Sequence, residues 1–171
     1  QPPLAPVVEV IGNEFSGTIE IERRGYLTVS EKAWVQAFDQ ADDSQAKLFS
    51  VAAKIGSELS MDPREVFELI QKTGGQDARL AVFSGELMDA IQAVNSSQER
   101  KGFVMATCLI QSRVDHKWEV EDTMNLHPDI VEGLSALFQD EEAKSIDSLL
   151  AAEVKDQEGR PPSDTPELGK D

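Results

Sequence analysis

From Thr28 to Phe138 the chain repeatedly sets a helix-start signal just ahead of apolar residues spaced three and four apart. That rhythm admits little besides a mainly α fold. Thr28-Val29-Ser30-Glu31 has the spacing of a capping box, with a hydroxyl for the first free N–H groups and a glutamate three residues on. It predicts a helix to about Gln40 with Ala33, Trp34, Ala37 and Phe38 in its apolar stripe. Past Asp42-Asp43-Ser44 a second helix should run to about Leu59 on Leu48, Val51, Ala52, Ile55 and Leu59. Asp62-Pro63-Arg64-Glu65 joins an N-cap, a first-turn proline and another glutamate. It opens a short helix with Val66, Phe67, Leu69 and Ile70, which Gly74-Gly75 ends.

Leu80 to Val94 also reads as helical, with Ser84-Gly85 as a candidate break. Ser96-Ser97 reads as the cap of the next helix, whose stripe is Val104, Thr107, Cys108 and Ile110, with Phe103 and Leu109 alongside. Trp118 and Val120 alternate with charged residues, which indicates a loop or short strand. His127-Pro128-Asp129 starts the last main helix, with Ile130, Val131, Leu134, Leu137 and Phe138 on one side. Ile146, Leu149, Leu150 and Val154 either extend it or form a final short helix.

Ahead of the helices lies a strand pair. Val7 to Ile11 is β-branched and apolar, Gly12-Asn13 is a turn signal, and Phe15 to Ile21 resumes with Phe15, Ile19 and Ile21 on one face. A lone hairpin is marginal in water, so this one must pack on the helices. The 171 residues suit a single domain with one core. The expected organisation is an N-terminal arm over 1–6, hairpin and connection over 7–27, a helical domain over 28–154 and a flexible tail over 155–171. Three prolines among charged residues give that tail too little apolar area to offset its ordering entropy.

Charge and composition narrow the function. Sixteen basic against 32 acidic residues give −16, a field that repels nucleic acid and anionic membrane surfaces. No secretory signal and no membrane span are expected, because Gln1 to Pro6 has neither a basic region nor an apolar stretch and no apolar run approaches about 18 residues. The single Cys108 excludes an intrachain disulfide and Cys-rich metal sites, and in its apolar run it reads as a buried, inert thiol. His116 belongs to a polar turn with Asp115, and His127 to a helix cap. Asp42-Asp43, Glu119/Glu121/Asp122 and Asp140-Glu141-Glu142 read as solvated faces, since none has calcium-loop spacing. Gly74-Gly75 lacks the Lys-Ser/Thr of a phosphate loop, and Arg23-Arg24 reads as an internal ion pair. No enzyme, cofactor or metal is expected.

Two segments carry a resemblance. The hairpin followed by Arg24-Gly25-Tyr26-Leu27-Thr28-Val29-Ser30-Glu31 resembles the start of tail assembly chaperone-like proteins of bacteriophages and prophages. Ile110-Gln111-Ser112-Arg113-Val114, Trp118-Glu119-Val120-Glu121-Asp122-Thr123, Leu126-His127-Pro128 and the helix ending Phe138-Gln139-Asp140-Glu141-Glu142 are similar to a closing module of the same proteins. Together they cover about a third of the chain. The resemblance implies a mostly helical protein of the host cytoplasm that coats a long helical tape-measure partner during tail assembly. Excess amphipathic helix and a strong negative charge agree in kind with that role. The alternative is a structural component of the virus particle or tail, held by subunit contacts. A DNA mimic is disfavoured, because the acids are spread around the helices and interrupted by basic residues. Trp34, Phe38, Trp118, Leu134 and Phe138 are the first residues to test for protein binding, although core burial is the default reading of the tryptophans and the obvious one for the set, and self-association stays open.

Overall fold

Asn13 organises the first turn: its Oδ1 accepts the backbone N–H groups of Phe15 and Ser16 at 2.9 and 3.1 Å. The computed structural model describes residues 6–158, so all but Pro6 of the expected arm over 1–6 and the part of the expected tail beyond Glu158 lie outside it. Strands β1 (Val7–Asn13) and β2 (Gly17–Arg23) pair antiparallel, with Ile11 opposite Ile19 and Glu9 opposite Ile21. The turn is therefore formed by residues 14–16, beyond Gly12-Asn13, which pair within β1, and Phe15 stands exposed at its tip instead of sharing a face with Ile19 and Ile21. Gly12 is fixed as glycine by a φ of +100° and by the Gly17 carbonyl, which occupies the space a Cβ would need.

Helix α1 (Val29–Ala41) starts at a complete capping box, in which Thr28 Oγ1 accepts from Glu31 N and Glu31 Oε1 accepts from Thr28 N. Its inward face is a correction to the apolar stripe. Glu31 and Val35 are buried and Phe38 half-buried, whereas Ala33, Trp34 and Ala37 are exposed. Glu31 has a buried cationic partner (below), so the helix turns its glutamate inward and its small residues out.

Helix α2 (Ser44–Leu59) buries Leu48, Ala52 and Ile55 and ends at Ser60 in the left-handed region, φ 54°. Helix α3 (Pro63–Thr73) is capped by Asp62, whose Oδ1 accepts from Arg64 N at 2.8 Å, and it buries Val66 and Ile70. Leu80 belongs to a short 3-10 helix (Ala78–Phe83), after which Ser84 begins the next helix rather than splitting one.

That helix, α4 (Ser84–Arg113), runs unbroken through Ser96-Ser97, which caps nothing. Ser97 is buried, and its Oγ donates to Asp42 Oδ2 at 2.5 Å, while Asp42 also accepts from Ser44 N and Ser44 Oγ. The hydroxyl finds its acceptor on another element, so it has no reason to open the helix. Asp42, read as solvated, is the anchor of the α1–α2 corner. Where a loop or strand was expected, Val120–Met124 forms a one-turn helix, α5. Helix α6 (Pro128–Glu158) takes in both apolar groups of the C-terminal region in one run and passes the expected boundary at Val154.

Among the described residues the interior is two clusters, not one. The first joins β1, β2, α1, the C-terminal half of α4 and α6 around Ile21, Leu109, Leu134 and Phe138. The second joins α2, α3, the 3-10 helix and the N-terminal half of α4 around Ile55, Val66, Leu80 and Leu87. The fold is thus mainly α with an N-terminal hairpin, strung along α4.

Candidate functional site

Three charged side chains meet inside the first cluster. Arg113, at the C-terminal end of α4, Glu31 on α1 and Glu141 on α6 have wholly buried side chains. Arg113 Nε donates to Glu31 Oε2 at 2.9 Å, Nη1 to the Glu22 carbonyl at 2.8 Å, and Nη2 to Glu141 Oε2 at 2.5 Å. Glu141 Oε1 also accepts the backbone N–H groups of Arg24 and Gly25, and Ser112 Oγ donates to Glu31 Oε2. A second cation, Arg24, stands 4.0 Å from Glu31 and 3.1 Å from Glu22. Arg23 pairs with Glu9 at 3.3 Å and with Asp140, so both arginines of the doublet form internal ion pairs.

Burial pushes the Glu31 carboxyl up, yet Arg113, Thr28 N–H and Ser112 together hold it below its ordinary value. Burial likewise opposes the charge on Arg113, and the two glutamates raise its pKa. Each carboxylate oxygen of Glu31 and Glu141 carries at least one donor, and both side chains are sealed from solvent. The arrangement clasps β2, α1, α4 and α6. Next to it Cys108 is buried, its thiol pushed up to about 12 by burial and by the Glu31 charge.

A second polar chain holds α5. Thr107 Oγ1 donates to the Phe103 carbonyl at 2.7 Å, so its 2.6 Å contact with Thr123 takes the Thr123 proton. Thr123 in turn accepts from Trp118 Nε1 at 2.9 Å. Trp118 is therefore a half-buried strut between the core and α5. Leu134 and Phe138 are 0% and 1% exposed and offer no surface. Trp34 lies on the outside of α1 beside Gln111 and Ser112, Phe38 lines a groove with Phe103 and Met124, and Phe138 only floors a smaller depression between α1 and α6. His127 Nδ1 accepts from Asp129 N at 3.2 Å as a helix cap, and His116 is exposed in the turn that Asp115 closes.

The groove lies over α4, α5 and α6. Two adjoining depressions, with empty volumes of about 1130 and 850 Å³ counting the space open to solvent, share Glu99, Phe103 and Met124. One continues over Met105, Leu126 and Val131, the other over Phe38, Val104 and Val120. Met124 is 61% exposed on the knuckle between them. Apolar floors, the unbranched Met124 thioether and rim charges at Glu99, Arg100 and Glu132 suit an apolar side-chain row better than a polar small molecule.

Comparison with protein-family models, with curated proteins and with solved structures finds no match to this chain. Among the described residues no helix is long and apolar enough to cross a membrane, and no group of three or more His, Cys, Asp or Glu residues is placed to hold a metal ion. The buried clasp was missed in the sequence because its members look polar singly. Its signal was there: Glu141 continues the Leu134 and Phe138 stripe, and Glu31 shares a face with Val35 and Phe38.

Proposed function

We propose that this chain is a non-catalytic binding protein of phage tail assembly that shields an apolar helical stretch of a long, tape-measure-type partner. The observation that carries the reading is the paired groove around Phe103 and Met124, whose mostly apolar lining from several helices offers a place for the apolar ridge of another. The charge of −16 supports it, because a protein that offers an apolar groove stays soluble when its copies repel one another. The ionised groups buried in the first cluster hold β2, α1, α4 and α6 together.

The test is copurification of the tagged chain at mild salt from cells that express its native neighbours, run beside Met124→Asp. Recovery of one long helical protein with the wild type, lost with the variant and absent together with this chain from finished particles, is the expected result. A fixed number of copies in purified particles overturns it and supports the structural role instead.

A further inference from the structure

We infer that the outer face of α6 is a helix-docking seam that extends the groove, and that its occupant is an amphipathic partner helix with basic flanks. The inference rests on the reading of this chain as a binder of helices. Ala136, Gln139, Ala143, Ile146 and Leu150 recur at alternating three- and four-residue steps, the spacing of a helix-to-helix seam. All five are exposed; Ala136, Gln139, Ala143 and Leu150 lie away from Leu134, Phe138 and Glu141, while Ile146 stands at the rim of a depression that it shares with Phe138 and Lys32. Ile146, Leu150 and Val154 are 52%, 55% and 54% exposed, so the apolar end of the seam stands in water. Its other end is continuous with the groove, since Ala136 and Gln139 line the larger depression. From Ala136 to Val154 the seam spans about 27 Å, room for five turns of a partner.

Charge selects the occupant. Between Asp140 and Glu158, leaving out the buried Glu141, the helix carries six acidic residues and two basic ones, and Asp140 is paired with Arg23 and lies 3.3 Å from Lys144. A second copy would set two such acidic strips against each other, whereas lysines or arginines beside the apolar row of a partner meet opposite charge along its length.

The experiment measures binding of two fluorescent helical peptides to the full chain at about 0.15 M salt. They share a leucine seam and differ only in lysine or glutamate flanks. The proteins are wild type, Met124→Asp and the double variant Ile146→Asp/Leu150→Asp, each checked for unchanged helicity. The lysine peptide should bind wild type, and the double variant and the glutamate peptide should each weaken binding by about tenfold or more. Wild-type affinity in the double variant overturns the seam, as does equal binding of both peptides or a wild-type dimer in sedimentation that Leu150→Asp abolishes. Loss with Met124→Asp alone removes the seam and keeps the groove. Loss with the double variant alone keeps the seam and removes the groove, and no binding of either peptide to wild type removes both.

Discussion

Every nitrogen of the Arg113 guanidinium donates to an acceptor, and two of those acceptors are carboxylates sealed from water. Arg113→Met would strand Glu31 and Glu141, and breaking a buried pair from one side costs about 3–5 kcal/mol. Urea unfolding at neutral pH should show a loss of that size. Arg113→Lys should also lose stability, because one ammonium cannot span the Glu22 carbonyl and both glutamates. The two proteins should answer pH with opposite signs. In the wild type Glu31 is held below its ordinary 4.5, so its contribution is complete above that value and is lost as pH falls through the lower, folded-state range. Without Arg113 burial dominates and raises the carboxyl, so acidification from neutrality should stabilise Arg113→Met while leaving the wild type level until about 4.5. Parallel pH profiles for the two would show that the arginine does not hold the glutamate charged.

Gly133 sets how closely the hairpin lies on α6. A Cβ there would come within 2.5 Å of Ile11 Cγ2, an overlap that costs about 1–3 kcal/mol, against a helix-propensity gain of about 1 kcal/mol for alanine. Gly133→Ala should therefore lower stability in the wild type and raise it in an Ile11→Ala background, where the clashing methyl is gone. A double-mutant cycle in urea should give a coupling of about 1 kcal/mol or more, and simple additivity would mean the hairpin is not seated there. The hairpin, α1, α2, α3 and the start of α6 were legible because local chemistry writes them: the Thr28 box, the Asp62-Pro63 start and the Gly74 stop act within one turn. The misread places are those where a distant partner decides. Ser97 bonds to Asp42 across 55 residues, Thr123 to Thr107 across 16, and Glu31 to Arg113 across 82. Each turned a polar residue inward, which sequence spacing scores as outward. The groove was legible only through Phe38, since Phe103 and Met124 come together by the folding of α5 back onto α4.

Both apolar clusters are built on α4, which makes that helix the connection whose integrity sets cooperativity. Leu87 and Ala90 belong to one cluster and Met105 to Ile110 to the other, with partly covered residues trailing from each, and between them residues 95–100 are exposed apart from Ser97. The Asp42–Ser97 bond adds a link from the α1–α2 corner to the middle of the same helix. While α4 is intact, loosening one cluster frays the helix under the other, so a single thermal transition with equal calorimetric and van't Hoff enthalpies is expected. A proline in the helix interior removes an amide donor, clashes one turn back and costs about 3 kcal/mol or more. At Gln98, exposed and between the clusters, it would cut the connection without entering either interior. Gln98→Pro should split the transition in two. The lower should belong to the α2–α3 cluster, which has nine buried apolar residues against fourteen in the other. Hydrogen exchange read by segment assigns the steps: amides of α2 and α3 should lose protection first while those of α6 keep theirs. One undivided transition in the variant would mean that contacts other than α4 bind the clusters into a single cooperative unit.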